Sequence, residues 1–305
     1  MDGPLLAIKV DVDTDRGTRI GVPNLAGLFR ALGVRATFLF SLGPDTTGRA
    51  IRRLFRPGFF GKVRRTRALG VYGLRTLLNG TLLPAPHIGR RNEAVMRRVR
   101  AEGHEVGIHC YDHTRWQDDL GGMTAAEVAA EFDKARREFE RVFREPARTA
   151  GAAGWQANRA SLAAYDDAGL LYASDARGTH PFYPRVEGVV YKTLQIPTTL
   201  PTLDELLGRP EYPEERLGEH YLSLLDPRAP NVMTVHAEIE GMGKLVFFQS
   251  FLDRALARSV RVTRLCDLAT ALLDRPENIP IRDLGVGAVD GRSGSLAVQL
   301  PPSHR

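Results

Sequence analysis

Cysteine is scarce. The 305-residue chain holds two, Cys110 and Cys266. They form no CxxC and no disulfide framework, and a reducing compartment fits. Cys110, beside His109, reads as a small buried residue rather than a nucleophile. Long apolar runs are lacking too. Nowhere do about 18 apolar residues follow one another, which argues against a membrane-spanning helix. Met1 to Lys9 has neither a basic stretch nor a long apolar one, so it does not read as a signal peptide. No GxGxxG follows the first strand, against a dinucleotide-binding sheet. No internal repeat is visible, and no linker divides residues 5–273.

What is present is ordinary in amount, with 43% hydrophobic and 26% charged residues, enough for a sizeable core. Short apolar strands are expected at 5–13, 35–41, 104–109, 147–152, 170–175, 189–196, 231–236 and 260–264. Helices are expected between them at 22–32, 92–101, 124–143, 159–168, 203–207, 214–225, 246–258 and 266–273. Thr124-x-x-Glu127 forms a capping box at the head of the longest. This alternation argues a single barrel-like α/β domain over residues 1–275. Residues 276–305, rich in Gly, Pro, Ser and charge and without periodicity, are expected to form a mostly disordered tail.

Chemistry-bearing residues gather at strand ends. In the first strand Ile8, Val10 and Val12 share one face, and Lys9, Asp11 and Asp13 share the other. Two neighbouring carboxylates repel unless a cation or proton intervenes. Another strand runs from His104 into His109, with His113 four residues on, a spacing that suits two ligands of one divalent metal. Two further strands end in Asp175 and His236. In a parallel barrel all these ends meet at one mouth. His109, His113 and one strand Asp make three ligands with an open position, leaving the other Asp as a base. His104 begins its strand, at the far end from the mouth, and is not expected to bind metal.

The net charge of +6 is concentrated locally: from Arg49 to Arg67 there are eight Lys or Arg and no acid. Residues 49–90 interleave these with Phe59, Phe60 and a leucine cluster. The pattern suits a segment lying on an anionic membrane surface. A solvated basic face on an ordinary helix gives the same pattern, and nucleic acid is a weaker third partner because no RNA or DNA module accompanies the arginines.

Asp11-Val-Asp13, Gly103-His-Glu-Val-Gly-Ile-His109-x3-His113 and Thr234-Val-His236 together resemble the polysaccharide deacetylase superfamily with its NodB homology domain. Asp11 to Thr18, Gly21-Val-Pro23, Ser41 to Asp45, Gly151-Ala-Ala-Gly-Trp155, Gln195 to Thr202 and His236-Ala-Glu-Ile-Glu-Gly241 look like its branch of deformylases in the lipid A aminoarabinose pathway. The resemblance implies a deformed (β/α)7-type barrel and a metal-dependent hydrolase. Its implied reaction removes formate from undecaprenyl phosphate-linked 4-deoxy-4-formamido-L-arabinose. By position Asp13, His109 and His113 would hold the metal, zinc by default, with manganese, cobalt or nickel also suited to such N/O ligands. Asp11 would be the general base, His236 the general acid, and Asp175 would orient that histidine. The family's third motif usually offers an Arg to the base; Gly151–Trp155 has none, leaving Arg16, Arg19 or Arg177 as substitutes. Arg52, Arg53, Arg56, Phe59, Phe60, Arg177 and Trp155 are expected to contact the substrate. The implied location is the cytoplasmic side of a bacterial inner membrane, peripherally attached. An N-deacetylase of polysaccharide or peptidoglycan keeps the same site, and a non-enzymatic module binding anionic membrane explains only residues 49–67.

Overall fold

The structure, a computed structural model, describes residues 3–49 and 76–302. Its centre is a curled, wholly parallel sheet. The strands are β1 (Leu5–Val12), β2 (Thr37–Ser41), β3 (Glu105–Cys110), β4 (Thr149–Ala150), β5 (Tyr172–Ala173), β8 (Leu194–Gln195), β9 (Asn231–His236) and β10 (Arg261–Thr263). They run in the order β10-β1-β2-β3-β4-β5-β8, with β9 also pairing β1. Beyond β8 the Thr199 and Leu200 N–H groups donate to the Val232 carbonyl, which carries the curl round to β9. This is the deformed barrel that strand–helix alternation leads one to expect.

The alternation within β1 builds both sides of the wall. Ile8, Val10 and Val12 turn outward into the main core with Phe29 and Phe248, from the helices Val22–Ala31 and Leu245–Ala257. Each such side chain, fully buried, contributes roughly 1.5–3 kcal/mol. Lys9 and Asp11, 0% and 2% exposed, take the opposite face. That face is lined with polar groups such as Ser174, Thr198 and Thr234 rather than packed with aliphatics. Charges are withdrawn from water there at a cost that packing does not require. The capping box at Thr124 and Glu127 forms as expected and starts the helix Ala125–Phe143.

Two expectations fail. Residues 189–196 do not make one strand. Asp166 accepts the Lys192 and Thr193 N–H groups, and this diversion separates β7 (Val189–Val190) from β8. Nor is the stretch after residue 275 a structureless tail: β11 (Ile281–Gly287) and β12 (Leu296–Gln299) join β6 (Tyr183–Val186) and β7 in a second sheet, ordered β12-β11-β6-β7. The glycines that suggest disorder are used for close packing. A Cβ on Gly285 or Gly287 would come within 2.9 Å of Leu300 or Val298.

Candidate active site

Three side chains converge at the mouth of the curled sheet. Asp13, just past β1, places Oδ1 3.2 Å from His109 Nε2 and 3.4 Å from His113 Nε2. His109 is next to last in β3 and His113 opens the helix His113–Asp119, so the four-residue spacing is spent on a strand end and a capped helix start. Asp112 makes that cap, accepting the Arg115 N–H. His109 Nδ1 lies 2.6 Å from the Gly151 carbonyl; donating there, it leaves the Nε2 lone pair facing Asp13. The Asp13 backbone N–H and the Thr14 N–H and hydroxyl all donate to Glu238 Oε1, fixing the turn.

These ligand atoms lie within 4.8 Å of one another. No aligned hydrogen bond satisfies the buried Asp13 Oδ1. Burial works to raise the Asp13 pKa, yet His113 and His109 hold it well below the usual carboxylate range. A carboxylate and two imidazole lone pairs aimed at one point fit a divalent cation.

Asp11 is the register partner of His236 across β1 and β9, so the two side chains stand side by side. Asp11 Oδ1 is buried without a hydrogen-bond partner, and Oδ2 lies 3.7 Å from Lys9 Nζ. The His236 N–H donates to Glu240, and its ring meets Trp155 edge-on at 6.3 Å. Burial raises Glu240 to about 7.

Lys9 was not among the expected site residues. Wholly buried, it donates to the Ser174 carbonyl at 2.8 Å and sits over the Trp155 ring. Burial lowers its pKa, against the pull of Asp11 and Asp175. It is a cation beside Asp11; of the expected arginines, Arg177 is engaged with Glu205 at 2.6 Å and Arg19 is exposed. A Cβ on Gly151 would fall 2.4 Å from Leu39, so this glycine leaves the space that Leu39 occupies, next to Lys9. The signal was legible in β1, where Lys9 shares a face with Asp11. Lys9→Met is expected to lower kcat about tenfold or more, by leaving a buried carboxylate without its counter-charge, while metal content stays unchanged. Steady-state kinetics with metal analysis checks both.

Asp175 is at the site but turned away from its expected task. Its oxygens accept the Ala152 N–H and the Gln195 amide, and burial pushes it up to about 6. Among the described residues no bond joins it to His236, whose Nδ1 is buried without a partner. The short strands β4 and β5 aim Asp175 across at the Ala152 N–H instead. His104 is a core residue whose Nδ1 accepts the Ala36 N–H beneath Phe29 and Phe38. Arg52, Arg53, Arg56, Phe59 and Phe60 lie outside the described residues.

A curled parallel sheet with an Asp-His-His cluster at its strand ends, and a second Asp beside it, defines a class of metal-site hydrolase folds. The polysaccharide deacetylase profile matches residues 12–173, and the chain belongs to that family. Proteins named 4-deoxy-4-formamido-L-arabinose-phosphoundecaprenol deformylase ArnD are similar along nearly its whole length. One from Shewanella sediminis is 35% identical, covering 96% of this chain and 94% of its own. One from Wigglesworthia glossinidia brevipalpis is 31% identical, covering 93% and 98%. A solved structure from Mycobacterium smegmatis, described as a polysaccharide deacetylase, shares the fold at 17% identity, with a TM-score of 0.64 and coverage of 94% and 96%.

Proposed function

We propose that this chain hydrolyses the formamide of undecaprenyl phosphate-linked 4-deoxy-4-formamido-L-arabinose, releasing formate and the amino-sugar lipid. The observation that carries the reading is the Asp13-His109-His113 cluster beside Asp11 and His236, in a chain similar end to end to relatives named for that reaction. Asp13, His109 and His113 would hold one divalent ion, zinc in our reading. Such an ion supplies Lewis-acid polarisation of the amide carbonyl and acidifies water. Asp11, with its buried, unpartnered oxygen, takes the proton from the attacking water. His236, beside it in register, gives a proton to the departing sugar amine. Lys9 holds Asp11 in line through its position between that carboxylate and the Ser174 carbonyl.

The lipid carrier explains the basic, apolar stretch. Arg52, Arg53 and Arg56 suit anionic headgroups; Phe59 and Phe60 suit acyl chains. No helix among the described residues is long and apolar enough to cross a membrane, so a surface-lying segment is the route to a membrane-borne substrate that this reading takes.

The test is formate release from the formamido-arabinose lipid in anionic vesicles, set against acetate release from chitin oligomers. Formate alone is expected. Acetate alone would move the substrate to an N-acetylated polysaccharide, and neither product would leave a membrane-binding module. Replacing Arg52, Arg53 and Arg56 with Gln is expected to weaken co-sedimentation with those vesicles by about tenfold or more, at about 1 kcal/mol per basic residue. Unchanged sedimentation would remove the membrane role of this segment.

A further inference from the structure

The second sheet brings a residue to the active site that no other observation above accounts for. Between β11 and β12, Arg292 stacks its guanidinium 4.4 Å from the centre of the Trp155 ring. Arg177 lies against the same ring at 5.5 Å. Trp155 itself borders His236 and Lys9, so the indole stands between the candidate acid and the two arginines. Trp155 is fixed there by its Nε1–H, which donates to the Thr198 hydroxyl at 3.1 Å.

The two guanidinium groups share one carboxylate oxygen. Glu205 Oε1 lies 2.6 Å from Arg177 and 3.9 Å from Arg292. The other Glu205 oxygen accepts the Thr202 N–H. A single Glu205 oxygen therefore lies against two guanidinium groups whose side chains are each only 11% exposed, and Arg177 also donates to the Leu200 carbonyl at 3.0 Å. Placing like charges together in a desolvated pocket is costly unless an anion joins them.

The loop is built to hold Arg292 there. Gly291 has φ +79°, and a Cβ on it would fall 2.2 Å from the Glu205 carbonyl oxygen. On one side Asp290 pairs with Arg209 at 2.8 Å; on the other the Ser295 carbonyl accepts the Gln156 amide at 2.7 Å. Three anchors thus surround Arg292, and two of them tie the loop to the Thr202–Arg209 segment that carries Glu205.

We propose that the β11–β12 loop completes the active site, and that Arg292 and Arg177 form the subsite for the phosphodiester of the substrate. Planar guanidinium groups bind phosphate oxygens in pairs, and two of them side by side suit one phosphate. In a sugar bearing phosphate at C1 and the amide at C4, the two groups lie across one ring. Trp155, between His236 and the arginines, spaces the amide end of such a ring from its phosphate end. The proposal rests on the deformylase reading for the identity of the anion, but not for its existence.

Two measurements test it. The first compares kcat/KM for the phosphate-bearing lipid with that for a methyl glycoside of the same formamido sugar, which lacks phosphate. Arg292→Gln is expected to reduce this preference about tenfold or more, and Arg292→Lys by less. Gly291→Ala, which displaces the loop and with it a chemically intact Arg292, is expected to reduce it likewise. A variant that merely damages the fold lowers both rates and leaves their ratio where it was; that result would overturn the subsite.

The second measures binding of farnesyl phosphate, a prenyl phosphate without sugar, by calorimetry. Arg292→Gln is expected to weaken it about tenfold or more. If the wild-type protein deformylates neither substrate but binds farnesyl phosphate through Arg292, the proposed function falls and the anion subsite stands. If binding does not depend on Arg292, the subsite falls whatever the activity.

Discussion

Asp11→Asn is expected to lower kcat by about a thousandfold while the protein keeps its metal and its fold, within the range of a general base. Asn has nearly the shape of Asp and still accepts a hydrogen bond, but it cannot take a proton from water. Asp11 is not one of the three clustered ligand atoms, so its replacement leaves them intact. It occupies the position where a base is needed: buried, with one oxygen unpartnered, and in register with His236. The change is also tolerable for the fold. It strips Lys9 of its counter-charge, but Lys9 keeps its bond to the Ser174 carbonyl, and burial already lowers its pKa, so it can shed its proton rather than remain as a buried lone cation. Metal content, circular dichroism and kcat measured on one preparation decide the matter. A wild-type kcat would show that another group activates the water, and a loss of metal would show that Asp11 is itself a ligand.

Much of this site could be read from the chain because its residues obey the periodicity of strands. Lys9, Asp11 and Asp13 alternate with Ile8, Val10 and Val12, and a period of two leaves one assignment of faces. The outward set is packed against Phe29 and Phe248, which fixes the inward set as well. The spacing of His109 and His113 suits one metal ion only together with a strand Asp, and the geometry that brings them to Asp13 comes from a strand end and an Asp112 cap. What escaped was set by contacts remote in sequence. Lys9 stands beside Asp11, held by the carbonyl of Ser174, 165 positions away. Asp175 was expected to face His236, but the Ala152 N–H and Gln195 claim both its oxygens. The residues after 275 show no apolar periodicity because Gly, Pro, Ser and charged residues interrupt it, and only the pairing of β11 with β6 shows that they form strands. Arg292 was hidden with them.

His113→Ala is expected to cost the protein its metal, and the loss can be read without any activity assay. The remaining pair, Asp13 and His109, stays in place, since the Gly151 carbonyl orients one and Glu238 pins the turn that carries the other. Two ligands hold a divalent ion far more weakly than three, so the variant should fall from about one metal per chain to a small fraction of that after dialysis. Binding of an ion to the folded state alone stabilises it by about 4 kcal/mol when the free ion is present at about 1,000 times its Kd. A chelator should therefore lower the wild-type Tm by several degrees and leave that of His113→Ala unmoved. His113 is about one-fifth exposed, so the space it vacates opens to solvent, and imidazole in the buffer can enter it. Partial return of both metal and turnover on adding imidazole with zinc would tie the loss to the missing ring. An unchanged metal content in the variant would remove His113 from the ligand set and leave the Asp13–His109 pair in need of a different third partner.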